Sequence, residues 1–209
     1  MSSLIGIVDY GVGNIFSIKR SLDYIGVKSN LISNSEGLAE ADKIILPGVG
    51  AFGDAKDKLK ASGLEEALLE QVRTGKPVLG ICLGMQLLFD SSSEYGSHKG
   101  LGLIPGQVED MRSLVTDKSL NIPQMGWNSL EFSEGREKNP LFKYVEEGSY
   151  VYFVHSYSAL CSDEYIIART DYSYPVTAAV AKDAVFGVQF HPEKSGQVGI
   201  SMLKAFDEL

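Results

Sequence analysis

The run Lys76-Pro-Val-Leu-Gly-Ile-Cys-Leu-Gly-Met-Gln-Leu-Leu-Phe89 leaves this chain few ways to fold. Residues 78–81 are short, wholly apolar and introduced by proline, which reads as a fully buried strand, and residues 83–89 read as the helix leaving it. Cys82 stands at the corner between them. Gly80-x-Cys82-x-Gly84 is the thiol counterpart of the G-x-S-x-G nucleophile elbow, where glycines are needed because flanking side chains would collide in a sharp strand-to-helix turn. The turn lifts the sulfur out of the sheet and sets it at a helix N-terminus, whose dipole and free N–H groups favour a thiolate. The next amide, on Leu83, becomes an oxyanion donor.

The flanking pattern extends this unit into a fold. Residues 4–8, 27–32 and 43–46 read as strands, and Ile15, Ile18, Leu22 and Ile25 form one face of a helix stopped by Gly26. Two further helical stretches lie between Asp54 and Thr74, divided at Gly63, with Leu64, Leu68 and Val72 as the apolar face of the second. Strands alternating with helices through residue 90 predict a parallel sheet with crossover helices. From about residue 101 the pattern changes: 122–132, 149–160, 165–170, 176–182 and 185–190 are strand-like with few helical breaks, before a closing helix that carries Val198, Met202, Ala205, Phe206 and Leu209. The expected fold is α/β, one domain over 1–209, with a central, largely parallel sheet flanked by helices and additional antiparallel strands in the C-terminal half. A hydrophobic content of 44% with 22% charged residues suits one globular core, and no internal repeat or membrane span is evident. A net charge of -8 argues against nucleic-acid partners, which demand a basic stripe.

A cysteine nucleophile needs a base, and the base needs a third group to hold its tautomer. The chain has three histidines. His98 lies in the polar run 91–100, which looks like a solvated loop. His155 ends the apolar run 150–154 and could line a site, but has no adjacent carboxylate. His191 follows the strand-like run 185–190 and is joined by Pro192 to Glu193, so base and orienting carboxylate share one strand end stiffened by proline. Taken alone, Cys82 reads equally well as a small buried hydrophobe. Paired with His191-Pro-Glu193 it reads as the nucleophile of an acyl-transfer enzyme, with Cys82, His191 and Glu193 as catalytic residues.

Two glycine-bearing loops accompany this triad. Asp9-Tyr-Gly-Val-Gly-Asn14 lacks the third glycine of a dinucleotide loop and reads as a tight strand-to-helix turn capped by Asn14. Pro47-Gly-Val-Gly50 follows a strand, where its glycines let backbone amides point into a neighbouring crevice.

With Leu46-Pro-Gly-Val-Gly-Ala-Phe52, Gln124-Met-Gly-Trp-Asn128, Tyr152-Phe-Val-His-Ser-Tyr157 and Gly187-Val-Gln-Phe-His-Pro-Glu-Lys194 added to the Asp9 and Gly80 runs, six motifs stand in one order, and over essentially its whole length the chain resembles the class I, triad-type glutamine amidotransferases. Pro-Gly-Val-Gly, Met-Gly-Trp-Asn and His-Pro-Glu-Lys favour the branch that serves histidine biosynthesis. Gln124 departs from the branch pattern, which has histidine there.

The resemblance implies hydrolysis of L-glutamine through a Cys82 glutamyl thioester, with the oxyanion held by the Leu83 amide and the Val49–Gly50 backbone, one amide of which must rotate to face it. Gln86, Gly50, Ser156 and Tyr157 would bind the substrate, Gln86 being otherwise an ordinary helix-surface residue. No cofactor and no metal is implied. Free ammonia is soon protonated, so a separate partner must consume it, by resemblance a (β/α)8-barrel cyclase subunit in a heterodimer. Tyr10, Asn14, Trp127, Tyr152 and Lys194 are the interface candidates; for the single tryptophan a core position is equally compatible with composition. The start of the chain shows no basic region followed by a long apolar segment, and with two cysteines, Cys82 and Cys161, a reducing cytoplasm is expected and Cys161 is read as structural. A stand-alone γ-glutamyl hydrolase, an amidotransferase subunit of another pathway and a catalytically silent interaction module are the rival readings.

Overall fold

A computed structural model describes residues 3–133, 135 and 137–209; Met1 and Ser2, where the N-terminal stretch read above begins, lie outside the described residues, as do Glu134 and Arg136. In chain order the first half contains β1 (Leu4–Val8), α1 (Ile15–Tyr24), β2 (Lys28–Ile32), α2 (Ser35–Glu40), β3 (Lys43–Leu46), α3 (Phe52–Ala61), α4 (Leu64–Arg73), β4 (Val78–Ile81) and α5 (Leu83–Leu87). The second half contains β5 (Phe89–Ser92), β6 (His98–Lys99), β7 (Ile104–Asp110), α6 (Met111–Leu114), β8 (Gln124–Ser129), β9 (Glu131–Phe132), β10 (Tyr150–His155), β11 (Tyr157–Leu160), β12 (Ile166–Asp171), β13 (Pro175–Lys182), β14 (Val185–Val188) and α7 (Gly196–Asp207).

The central sheet has strand order β2-β1-β3-β4-β14-β13-β12-β9. β1 to β4 are parallel, β14 joins β4 in parallel, and β13, β12 and β9 continue antiparallel, as the change of pattern in the second half predicts. Alternation along the strands divides the core between the two faces. Ile44, Leu46 and Val78 pack with Leu59 and Leu68 of α3 and α4, whereas Ile45, Leu79 and Ile81 pack with Leu22, Met202 and Phe206 of α1 and α7. Among the described residues no helix is long and apolar enough to cross a membrane.

Three local expectations change. The helix after Cys82 ends at Leu87 rather than at residue 89, and Phe89 opens a strand of a separate four-stranded sheet, β11-β7-β5-β6. Part of the polar run 91–100 therefore belongs to that sheet, and His98 packs against Gly53 instead of lying in solvent. The run 149–160 divides at Ser156 into β10, which pairs with β8, and β11, which pairs with β7.

Candidate active site

β4 and β14 lie side by side in register, Gly80 opposite Gly187 and Ile81 opposite Val188, and the Cys82 amide donates to Val188 O at 2.8 Å. Parallel pairing therefore brings the ends of both strands together, with Cys82 beyond one and Gln189, Phe190 and His191 beyond the other. Cys82 adopts φ 55°, ψ -113°, a left-handed conformation that costs about 1–3 kcal/mol for a residue with a side chain. Leu83, Met85, Leu87 and Leu88 around it are 0–3% exposed, and each such burial contributes about 1.5–3 kcal/mol, enough to hold the strained corner. The motif glycines are required by contact: a Cβ on Gly80 would stand 2.7 Å from Met85 N and from Gly84 O, and one on Gly84 would run into the Leu46 carbonyl.

His191 is followed by a 3₁₀ turn, Pro192–Lys194, which curls Glu193 back beneath the ring. His191 Nδ1 donates to Glu193 Oε1 at 2.8 Å, and the Glu193 side chain is fully buried. The His191 backbone is clamped to β10, its N–H donating to Tyr152 O at 2.9 Å while Ser195 Oγ donates to its carbonyl at 2.6 Å and accepts from Tyr152 N at 3.0 Å. Burial works against charge on this ring, but a hydrogen bond to Cys82, the bond to Glu193 and the charges of both outweigh it and raise the pKa to about 9. At neutral pH the imidazolium is the form held beside the sulfur.

His155 has the opposite character. Burial pushes it down to about 4, against the hydrogen bond to the Tyr157 carbonyl, and the nearby His191 adds to the effect. Its Nδ1 donates to Tyr157 O at 2.8 Å, and Nε2 lies 3.1 Å from the Gln124 carboxamide. A neutral ring has one N–H, already given to Tyr157, so the Gln124 carboxamide, whose Oε1 is the atom placed at that distance, is turned end for end to present its N–H to Nε2. Gln124 thus fixes the neutral tautomer of His155, leaving His191 as the ring able to exchange a proton at neutral pH.

Cys82, Leu83, Gln86, Val49, Gly50, Ser156, Tyr157 and His191 line one cavity of about 330 Å³, within the size range of small-molecule sites. Lys194, expected at an interface, also lines it, joined by Glu94, Pro123, Val154 and His155. A larger cleft of about 800 Å³ elsewhere is lined by Phe132, Glu146, Glu164 and Asp183, and its lining among the described residues holds no nucleophile–base pair.

A model of the family described as "Glutamine amidotransferase class-I" matches residues 6–208. The chain belongs to that family. The amidotransferase is 48% identical over 206 residues to the imidazole glycerol phosphate synthase subunit HisH of Listeria innocua, covering 99% of this chain and 96% of that one. It is 45% identical over 207 residues to HisH of Wolinella succinogenes, covering 99% and 100%. Among solved structures it resembles a glutamine amidotransferase crystal structure (TM-score 0.74, 18% identity, 98% and 99% covered) and PurLQS from Thermotoga maritima (TM-score 0.73, 19% identity, 99% and 98% covered). At such identities these structures speak for the fold, and they agree with the α/β reading.

The interface candidates of the amidotransferase separate by position. Trp127 is 54% exposed and meets Tyr152 edge-on across the β8–β10 pair, with the exposed Lys194 Nζ 5.7 Å above the Tyr152 ring. Tyr10 is buried, and its hydroxyl donates to Pro47 O at 2.8 Å, so its side chain supports the Pro47–Gly50 strand from inside. Burial, with Cys82 adding, raises its pKa. Asn14 precedes α1 but makes no side-chain cap bond, contrary to the capping expected from sequence. Its Nδ2 donates instead to Glu193 Oε1 at 3.2 Å, a charge-assisted bond that aims the carboxamide at this carboxylate.

Two groups close to Cys82 or its cavity were not anticipated. Glu94 accepts from Phe52 N at 2.7 Å, and burial raises its pKa. Gln189 is fully buried behind Cys82; a lone polar residue in the apolar run 185–190 was the sequence signal for it, since buried carboxamides need partners. Cys161 is free and half-buried, and burial lifts its thiol to about 11, as suits a structural residue.

Proposed function

We propose that this amidotransferase is the glutaminase subunit of an imidazole glycerol phosphate synthase, and that Cys82, His191 and Glu193 carry its chemistry. Cys82 and His191 lining one cavity, with the buried Glu193 bonded to the His191 ring, in a chain 45–48% identical to HisH proteins, is the observation that supports it. The Cys82 thiolate attacks the side-chain amide carbon of glutamine, and the Leu83 amide, the first of α5 and unused within the helix, and the Val49–Gly50 backbone receive the oxyanion. The His191 imidazolium gives its proton to the amide nitrogen, the C–N bond breaks and ammonia departs, leaving a glutamyl thioester. Acylation removes the thiolate charge that raised His191, so the ring falls back toward its ordinary value and becomes the base for water. Addition of water and expulsion of the Cys82 thiolate release glutamate.

Gln86 gives its amide hydrogens to Tyr157 O and Gln189 Oε1, at 3.1 and 3.0 Å, leaving Oε1 for the substrate. Both lone pairs of the Tyr157 carbonyl are taken, by Gln86 and His155, so substrate contacts from Ser156 and Tyr157 fall to other atoms. The Glu94 carboxylate offers a counter-charge for the substrate ammonium. A (β/α)8-barrel cyclase subunit covering Trp127, Tyr152 and Lys194 would complete the heterodimer and take up the ammonia. Nucleophilic thiol chemistry and two free cysteines suit a reducing cytoplasm.

Two results follow. With His191 needed as an acid, glutamine turnover falls about tenfold per pH unit above about 9, where the imidazolium is lost, and a pH profile of kcat/KM checks this. Gly50 has φ 93° and open space where a Cβ would go. Proline, confined near φ -65°, cannot adopt that conformation, so Gly50→Pro lowers turnover by about 10²-fold through loss of an oxyanion donor, and unchanged turnover would sink the rotating-strand reading. The function itself is tested with amide-¹⁵N glutamine and a purified cyclase with its substrate. Label in the imidazole product supports it; label only in free ammonium, with peptides hydrolysed equally well, favours the stand-alone hydrolase.

A further inference from the structure

The Gln189 side chain lies wholly inside the protein behind the elbow, and its backbone N–H is anchored to Ala178 O at 2.8 Å. Its Nε2 is 3.7 Å from Cys82 Sγ, and its Oε1 accepts from Gln86 Nε2 at 3.0 Å. A carboxamide can be turned end for end, but here a backbone carbonyl decides the matter. Tyr157 O can only accept, so the Gln86 atom facing it at 3.1 Å is nitrogen. The second hydrogen of that nitrogen points to Gln189, whose facing atom is therefore oxygen. Gln189 must then present its own N–H to the sulfur. The chain Tyr157 O, Gln86, Gln189, Cys82 thus has one polarity, and it arrives at the nucleophile as a donor.

We propose that Gln189 is a functional residue of the acyl-transfer site, a fixed N–H donor that holds the Cys82 sulfur as the attacking thiolate, with its orientation set by Tyr157 through Gln86. The proposal rests on Cys82 being the nucleophile. Other groups around the sulfur do not replace this donor. Val154 O, 4.0 Å away, can only accept from the thiol, and α5 has five residues, too few for a strong dipole. Of the titratable groups around the sulfur, His191 gives up its proton in the reaction, the Tyr10 hydroxyl is turned to Pro47 O, and Glu94, His155 and Lys194 share the cavity, whereas the Gln189 carboxamide never titrates. A hydrogen bond to the charged form favours that form, and a buried glutamine that served packing alone would leave its desolvated amide without return.

The test is alkylation of Cys82 by iodoacetamide in the full chain, followed over a pH series by mass mapping of the Cys82 peptide, for wild type and Gln189→Met. Methionine keeps the length of the side chain and removes the donor. Gln189→Met is expected to alkylate about tenfold more slowly at pH 7, with its profile displaced about one pH unit upward. A Gln189→Met profile matching wild type overturns the proposal. A wild-type Cys82 that reacts no faster than a small free thiol overturns instead the reading of Cys82 as nucleophile, so the two failures are distinguishable. Should Gln189→Met not fold, the wild-type chain supplies the answer by NMR: the Gln189 side-chain N–H proton shifts as Cys82 titrates and does not shift in Cys82→Ala. Absence of that shift overturns the proposal.

Discussion

Cys82→Ala lowers glutamate release from glutamine by about 10⁴-fold or more, because no other group in the cavity can form the covalent intermediate. Lys194 is exposed and His155 is held neutral between Tyr157 and Gln124, so neither replaces the thiolate. The same substitution changes His191. With the sulfur gone, the hydrogen bond and charge that opposed burial are lost, leaving Glu193 alone to favour the imidazolium, and the ring titrates well below about 9. An NMR titration of the His191 ring in wild type and Cys82→Ala measures this directly. A His191 that titrates identically in both would mean that sulfur and ring are not coupled, and the acid-then-base sequence would fail with it.

Gly84→Ala is expected to be strongly destabilising for a single added methyl group. A Cβ at this position would overlap the Leu46 carbonyl oxygen and stand 2.8 Å from its carbon and 3.1 Å from the Pro47 carbonyl carbon. These are backbone atoms of β3 and of the strand end that leads to Gly50, so no side chain can swing aside. Relief requires α5 to move away from β3, which costs about 3 kcal/mol or more. For a chain of this size that is a fall in Tm of about 6–12 °C. The same movement separates the Leu83 amide from the Val49–Gly50 backbone, so turnover falls along with stability. A Tm within about 2 °C of wild type would show that the close approach of α5 to β3 is not as tight as described.

How much of this protein can be read from its residues depends on whether the contacts that place each group are local. The proposed triad is legible because each half is local: a strand-to-helix turn needs Gly80 and Gly84 around Cys82, and a two-residue step across Pro192 sets Glu193 against His191. What joins the halves is the parallel register of β4 with β14, which alternation of strands and helices predicts in kind. Groups held by long-range contacts were harder to place. Tyr10 and Asn14 lie in a loop whose glycines suggest only a turn, and their partners, Pro47 and Glu193, are 37 and 179 residues away. Glu94 sits in a polar run that periodicity assigns to solvent, yet β5 and β6 fold it over the cavity. β7 was hidden because Pro105 and Gly106 break the strand pattern, and its pairing with β11 and β5 overrides that local signal. The helix after Cys82 looked longer because Leu87, Leu88 and Phe89 suit either structure. Its early end transfers the support of the thiolate from a helix dipole to specific N–H groups.

Under the proposed function Cys82 is a conditional nucleophile, complete only when a partner subunit settles the Pro47–Gly50 strand and covers the β8–β10 face. Glutamate release from glutamine, measured for the chain alone and with a purified cyclase subunit bearing its substrate, tests this most directly. The prediction is a slow basal rate that rises many-fold in the complex and is abolished in both cases by Cys82→Ala. Full activity of the isolated chain, unaltered by the cyclase, would contradict it.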